Sequence, residues 1–260
     1  MTIREINTKS CFIDDIDGFW DTFWSNDIGV ISKKIDPDSR SATLRAYHQI
    51  LWSRELPNGQ RMVLEKGTMS DYLKWNGMRF ASDSIFTQHR YKKCLPILQL
   101  LEKQIPDYKK FVSDTLRLSY TIGGMIIFPK MKGSMNQDRG TNPMITDRWD
   151  MTLECVKRYY ENPQDCEYCY NPLWTTIKRN EEFFSLFVDF SGYINFFFLQ
   201  DYLNSEMEVI RFFDDCMDKD GNFSKKYPLP QNTEEYLRNI AIQKEIVNKR
   251  NERIRSFIQS

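Results

Sequence analysis

The sequence predicts an α+β fold, helix-rich and arranged as a single domain with a small sheet and a long C-terminal helix. Three observations predict it. Apolar side chains recur at three- and four-residue spacing through most of the chain, as they do in helices that bury one face. Two short apolar stretches and one glycine-interrupted apolar run supply a few strands. Asn232, followed three residues later by Glu235, has the spacing of a capping box, and it opens a segment whose inner face is Tyr236, Ile240, Val247, Ile254 and Ile258.

Taken in order, Phe19 with Phe23, and Trp20 with Trp24, share faces of a first helix at four-residue spacing. Lys33-Lys34-Ile35-Asp36-Pro37-Asp38-Ser39 is turn chemistry, because Asp and Ser side chains compete for backbone hydrogen bonds and Pro fixes φ. A helix follows over about Ser41 to Ser53, with Leu44, Tyr47/His48 and Leu51/Trp52 in register. Leu56-Pro57-Asn58-Gly59-Gln60 breaks it, Asn-Gly being a reverse-turn signal. Met62 to Leu64 and Met78 to Ala81 read as short strands, and Lys92 to Glu102 as a helix ending before Pro106.

Leu116 to Phe128 reads as the clearest strand, and Gly123-Gly124 inside it marks a bulge or a close backbone approach. Lys130 to Met144 is a polar loop. Thr146 is placed to cap a helix over Asp147 to Tyr160 with Trp149, Leu153, Val156 and Tyr160 as its apolar stripe. Short helices are expected over Pro172 to Arg179 and Glu181 to Val188. Phe190 to Leu203 reads equally as strand or buried helix. Ser224 to Gln231 is loop, and the final helix spans about residues 232–259.

Composition narrows the function classes. The 260 residues carry 36 Lys+Arg against 36 Asp+Glu, and this even balance argues against a general nucleic-acid or anionic-membrane binder. Aromatic residues at 14 % exclude a disordered chain. No run approaches the ~20 apolar residues of a membrane helix, and the N-terminal stretch has no apolar core behind its basic residues. The expectation is a cytoplasmic protein with no membrane partner. Six scattered cysteines fit a reducing compartment. Cys166-Glu167-Tyr168-Cys169 is a lone pair without the second pair a structural zinc needs, and reads as a surface loop.

Several stretches resemble an uncharacterised family of bacterial proteins. They are Asp36-Pro37-Asp38, Tyr47-His48 with Leu51-Trp52-Ser53, Ile122-Gly123-Gly124 through Pro129, and Asn136 with Arg139-Gly140. The longest is Asp147-Arg148-Trp149-Asp150-Met151-Thr152-Leu153-Glu154-Cys155. The likeness covers about residues 36–201, with a weaker echo in the last helix. Family members carry a lysine directly before Asp-Pro-Asp, whereas here Ile35 separates Lys34 from Asp36. The resemblance implies no activity, so chemistry is read from the residues themselves.

The strand–loop–helix from Gly123 to Arg158 points towards an anion, since helix N-termini present free N–H groups. Asn136, Arg139, Gly140 and Arg148 would add donors, a guanidinium gripping phosphate or carboxylate at two points. Asp147, Asp150 and Glu154 share one helical face and could hold Mg²⁺ or divide acid and base roles; the alternative is a solvated acidic face. His48 is a candidate for proton transfer, with the Asp36/Asp38 turn available to orient its imidazole. The aromatic clusters are expected to be core, or else a partner groove. No standard nucleotide cradle occurs.

The expectation is therefore an enzyme acting on a phosphate-bearing, nucleotide or NAD-type substrate, or on nucleic acid, with a defence or toxin role in view. His48, Glu154 and Asp147 would be its catalytic residues. The alternative is a non-catalytic protein-interaction or ligand-sensing module. On the enzyme reading, Arg139→Ala abolishes binding and leaves the fold intact.

Overall fold

The computed structural model describes residues 2–25, 31–67, 72–130, 134–213 and 216–260. Helices α1 (Phe19–Trp24), α2 (Pro37–Arg40) and α3 (Ala42–Trp52) come first, followed by strands β1 (Glu65–Lys66), β2 (Leu73–Trp75) and β3 (Met78–Ser84). Then come α4 (Leu95–Gln104), α5 (Tyr108–Ser119), β4 (Met125–Pro129), α6 (Met135–Thr141) and α7 (Trp149–Glu161). The chain closes with α8 (Trp174–Arg179), α9 (Glu181–Phe184), α10 (Phe190–Phe197) and α11 (Thr233–Gln259). This is an α+β fold with a four-stranded sheet in the order β1-β2-β3-β4, every neighbour antiparallel. Ser82 lies opposite Ile127, and Asp83 opposite Ile126.

Several expected boundaries move. The run from Leu116 is not strand throughout, because α5 holds residues to Ser119 and strand pairing begins only at Met125. Asp107 Oδ1 accepts from Lys110 N at 3.0 Å and starts α5. Val112, Thr115, Leu116 and Ser119 then recur at helical spacing on its buried face, so the helical period prevails over an alternation only a few residues long. Pro129 is paired rather than excluded from the strand, which an edge position permits. Residues Met62 and Leu64 are buried and Val63 exposed as a strand would have it, but the ladder forms one step later, at Glu65–Lys66.

The polar stretch after β4 contains α6, which buries Met135 and Arg139 four residues apart; its residues 131–133 lie outside the described set. Helix α7 starts at Trp149, because Thr146 and Asp147 take positive φ (50° and 60°) and cannot begin a right-handed helix. The run from Phe190 resolves as helix, capped by Asp189 Oδ1 on Gly192 N at 2.7 Å. It ends where Phe198 turns left-handed.

The Gly-Gly pair marks a close approach, not a bulge. A Cβ on Gly124 would sit 1.9 Å from the Ser119 carbonyl oxygen, and one on Gly123 would meet the Asn251 side chain at 2.6 Å. Helix α11 reaches this point because its inner face is partly polar. Arg250 Nη1 donates to the carbonyls of Gly123 (2.7 Å) and Met125 (2.9 Å), and its Nε donates to that of Phe197 (3.0 Å). The cap at α11 is as expected on one side, Asn232 Oδ1 accepting from Glu235 N at 2.8 Å. The return arm lands one residue early, on Gln231 N.

Both aromatic clusters are core. Phe183, Phe184, Phe187, Tyr193 and Phe197 are buried with ring centroids 5–6.5 Å apart. Phe19 and Phe23 are buried, and Trp20 and Trp24 pack partly buried against the same cluster. Cys166 and Cys169 are exposed. Among the described residues, no helix is long and apolar enough to cross a membrane.

Candidate functional site

A cavity of about 270 Å³ opens where α2, the end of β3, the strap at residues 85–91 and the turn before α7 meet. Asp36, Asp38, Asp83 and Asp147 all line it. Each arrives by a local device. Asp36 caps α2, its Oδ1 accepting from Asp38 N at 3.1 Å, with Pro37 preset in the first turn. Asp83 stands near the end of β3. Asp147 is turned towards the cavity by two successive left-handed residues.

Arg139, fully buried on α6, sits behind this wall. Its Nη1 lies 2.6 Å from Asp83 Oδ2 and 3.1 Å from Asp147 Oδ1. It also donates to the carbonyls of Ser84 (3.0 Å) and Asp147 (3.0 Å). His48 is likewise fully buried and lies one hydrogen bond behind the wall. Trp52 Nε1 donates to His48 Nδ1 at 2.8 Å, which fixes the neutral imidazole with its proton on Nε2. That Nε2–H donates to Ser82 Oγ (3.1 Å), and Ser82 Oγ–H donates to Asp38 Oδ1 (3.2 Å). Trp52, His48, Ser82 and Asp38 form one directed chain. The expected link between His48 and the Asp36/Asp38 turn exists, with Ser82 as its middle member.

The sequence-predicted residues divide into two groups. His48, Arg139 and Asp147 gather around the end of β3, and Asn136 joins them by donating to the Ser82 carbonyl at 2.7 Å. Arg148, Glu154 and Gly140 do not. Arg148 grips Asp150 through Nε (3.1 Å) and Nη2 (2.5 Å), both side chains being fully buried. Glu154 is paired with Arg158 (2.7 Å) and Arg211 (3.2 Å). Gly140 lies exposed on α6. The carboxylate face expected for Mg²⁺ is thus divided among arginines. Among the described residues, no three His, Cys, Asp or Glu side chains are placed to share a metal ion.

Sequence reasoning missed Asp83, Gln88 and His89. Asp83 lies two residues past the expected end of its strand, within the polar triplet Ser82-Asp83-Ser84 that follows Met78-Arg79-Phe80-Ala81. That triplet was the available signal.

The wall is electrostatically unusual. Burial pushes the Asp38 carboxyl well above the usual carboxylate range, and Asp36 and Asp83 beside it add to the effect. Burial lifts Asp36 to about 6. It lifts Asp147 to about 6 as well, against the pull of Arg139. The wall therefore sets a carboxyl pushed strongly towards its protonated form, Asp38, beside two, Asp36 and Asp147, that ionise above about 6. Burial also presses His48 and His89 down to about 3, and each imidazole is neutral.

These shifts oppose one another in stability. The carboxyls with raised folded values stabilise the protein fully below their unfolded value of about 4, and that contribution is lost as pH rises through about 6. The imidazoles do the reverse, stabilising above about 6.5 and losing that contribution as pH falls towards 3. Between pH 7 and 5 the two trends oppose one another. Each neutral imidazole alone costs about 2 kcal/mol over that interval. His89 has no hydrogen-bond partner to orphan, so His89→Gln should shift the stability difference between pH 5 and pH 7 by about 2 kcal/mol relative to wild type, in favour of pH 5. Urea unfolding at the two pH values measures it, and an unchanged profile would show that His89 is not held neutral.

A helix-rich α+β protein with a small antiparallel sheet and an aspartate-walled cavity is the class that fold and site define. The chain belongs to DUF6994, a family of unknown function whose model matches residues 7–254. No curated protein and no solved structure matches it.

Proposed function

We propose that the protein is an acid–base enzyme working on a compact, uncharged substrate in the aspartate-walled cavity. The observation that carries this is the gathering of four aspartates from three separate chain segments around one cavity, with one of them at the end of the Trp52–His48–Ser82 chain. A carboxyl pushed strongly towards its protonated form beside one that ionises above about 6 is what a two-carboxyl mechanism needs. Asp38, pushed by burial towards its protonated form, donates its proton to the leaving atom of the substrate. Asp36, ionised above about 6, accepts a proton from the attacking water. Water is thereby divided across the broken bond, and the two carboxyls return to their starting states by proton exchange with solvent. Ser82 and His48 orient Asp38, while Arg139 fixes Asp83 and Asp147.

An anionic substrate has less support here. Arg139 and Arg148 already hold carboxylates of the chain itself, and ionised Asp36 and Asp147 would face a phosphate. At about 270 Å³ the cavity is smaller than the ~300–1,000 Å³ typical of drug-sized pockets, which suits a small molecule better than a dinucleotide.

The test is hydrolysis of a chromogenic panel (nitrophenyl glycosides, esters and phosphates) by wild type and Asp38→Asn. The expected result is turnover of an uncharged class, reduced about 10²–10⁴-fold in Asp38→Asn and falling off in wild type as pH drops below about 6. Turnover confined to phosphates would restore the nucleotide-type reading. Turnover equal in the two proteins would remove Asp38 from the mechanism, and no turnover of any class would leave a binding module.

A further inference from the structure

The strap that closes the cavity carries two polar side chains that the acid–base scheme does not use. His89 is 1 % exposed, lines the cavity, and has no hydrogen-bond partner on either ring nitrogen. Gln88, beside it, is 9 % exposed and its Nε2 has no partner. Buried polar atoms are ordinarily paired, so two neighbouring exceptions among the residues that line one cavity point to what the cavity receives.

Their placement is enforced. Thr87 N donates to Gln243 Oε1 (2.8 Å), Gln243 Nε2 donates back to the Thr87 carbonyl (3.0 Å), and Thr87 Oγ1 donates to the Asp147 carbonyl (2.7 Å). Helix α11 and the Asp147 turn thus clamp the strap immediately before Gln88. His89 itself sits at φ +48°, a left-handed conformation uncommon outside glycine and costly to hold. A rotation back to ordinary backbone would carry the imidazole away from its place in the wall.

Resting on the acid–base reading of this cavity, we propose that its ligand is a neutral polyhydroxylated ring, a sugar, with His89 and Gln88 as specificity-determining contacts. A neutral imidazole offers one N–H and one lone pair, and the Gln88 amide offers further donors and an acceptor. Hydroxyl groups donate and accept, so they satisfy both residues together with the carboxylates of Asp36 and Asp147. Phe86 and Tyr120 also line the cavity, and aromatic side chains are suited to the apolar C–H face of such a ring. The positive charge of Arg139 lies directly behind the carboxylates, so a cation gains little there, while an anion would face ionised oxygens.

The test is ligand-induced thermal shift and calorimetric titration of the full chain with glucose, ribose, adenosine and inorganic phosphate. Wild type, His89→Ala and Gln88→Ala are compared, after circular dichroism of each unliganded variant. The expected result is a shift of a few degrees with at least one sugar-containing probe at about 100 times Kd and none with phosphate. Affinity should fall about tenfold or more in both variants. Glucose alone would indicate a free hexose, whereas ribose with adenosine would indicate a nucleoside.

A response to phosphate only, no response to any probe, or sugar affinity unchanged in the two variants would overturn the proposal. Because Gln88 bonds nothing through Nε2, its truncation keeps the test valid even if His89→Ala unfolds. Sugar binding that survives in Asp38→Asn while turnover is lost supports both readings. Asp38-dependent turnover without sugar binding removes only the ligand assignment.

Discussion

Arg139→Ala should destabilise the fold by about 3–5 kcal/mol, the usual consequence of removing one member of a buried ion pair. The guanidinium is fully buried and joins four acceptors on two segments: the carboxylates of Asp83 and Asp147 and the carbonyls of Ser84 and Asp147. It also reaches Thr152 Oγ1 at 3.4 Å and lies 5.5 Å over the Trp149 ring. Removing it leaves a half-buried Asp83 without its cation and a left-handed Asp147 without its anchor. Asp147 N bonds back to the Arg139 carbonyl at 2.8 Å, so the turn and α6 would loosen together. Arg139→Lys keeps the charge but cannot span the same acceptors, because an ammonium lacks the planar fork, and about 2 kcal/mol should be lost. Urea unfolding of the two variants measures both. A stable Arg139→Ala protein that fails only to bind ligand would instead assign Arg139 to the substrate, as the sequence alone suggests.

That difference shows what the sequence makes legible. Helix α11 is readable to within a residue or two because its cap and apolar stripe are local features that the long helix repeats. Arg250, Gln243 and Asn251 on the same inner face are not readable as buried polar contacts, since their partners at Gly123, Thr87 and Thr121 are more than a hundred residues away. The same holds at the site. Arg139, Asp147 and His48 stand out by residue type, but whether an arginine faces a ligand or a carboxylate of its own chain depends on where β3 delivers Asp83. The strand extends to Ser84 because Asp83 and Ser84 pair with Ile126 and Met125, a long-range ladder that outweighs the low strand preference of Asp. His89 is invisible for a different reason. Its position depends on a left-handed backbone held by α11, and no local signal encodes that.

The pair Arg148–Asp150 provides the sharpest separation of structure from function. Both side chains are fully buried, joined at two points. Asp150 Oδ2 also accepts Phe212 N at 3.2 Å, and the guanidinium lies 4.0 Å over the Phe213 ring. The carboxyl is held below its usual range by Arg148 in spite of burial. Asp150→Ala therefore leaves a guanidinium without its carboxylate and a backbone N–H without its acceptor, and should cost about 3–5 kcal/mol. The double replacement Arg148→Met/Asp150→Leu removes both charges and fills the space with apolar volume. It should recover the part of that loss that comes from the unpaired guanidinium, since a buried ion pair contributes little net stability over a hydrophobic isostere, while Phe212 N still lacks its acceptor. Unfolding measurements on the single and double variants form the test. If the double variant folds and retains turnover, Arg148 is a structural residue and the helix N-terminus beside it is no anion site. If it folds with wild-type stability but loses ligand binding, the cavity extends past His89 to Arg148. The arginine that the sequence singles out would then belong to the substrate after all.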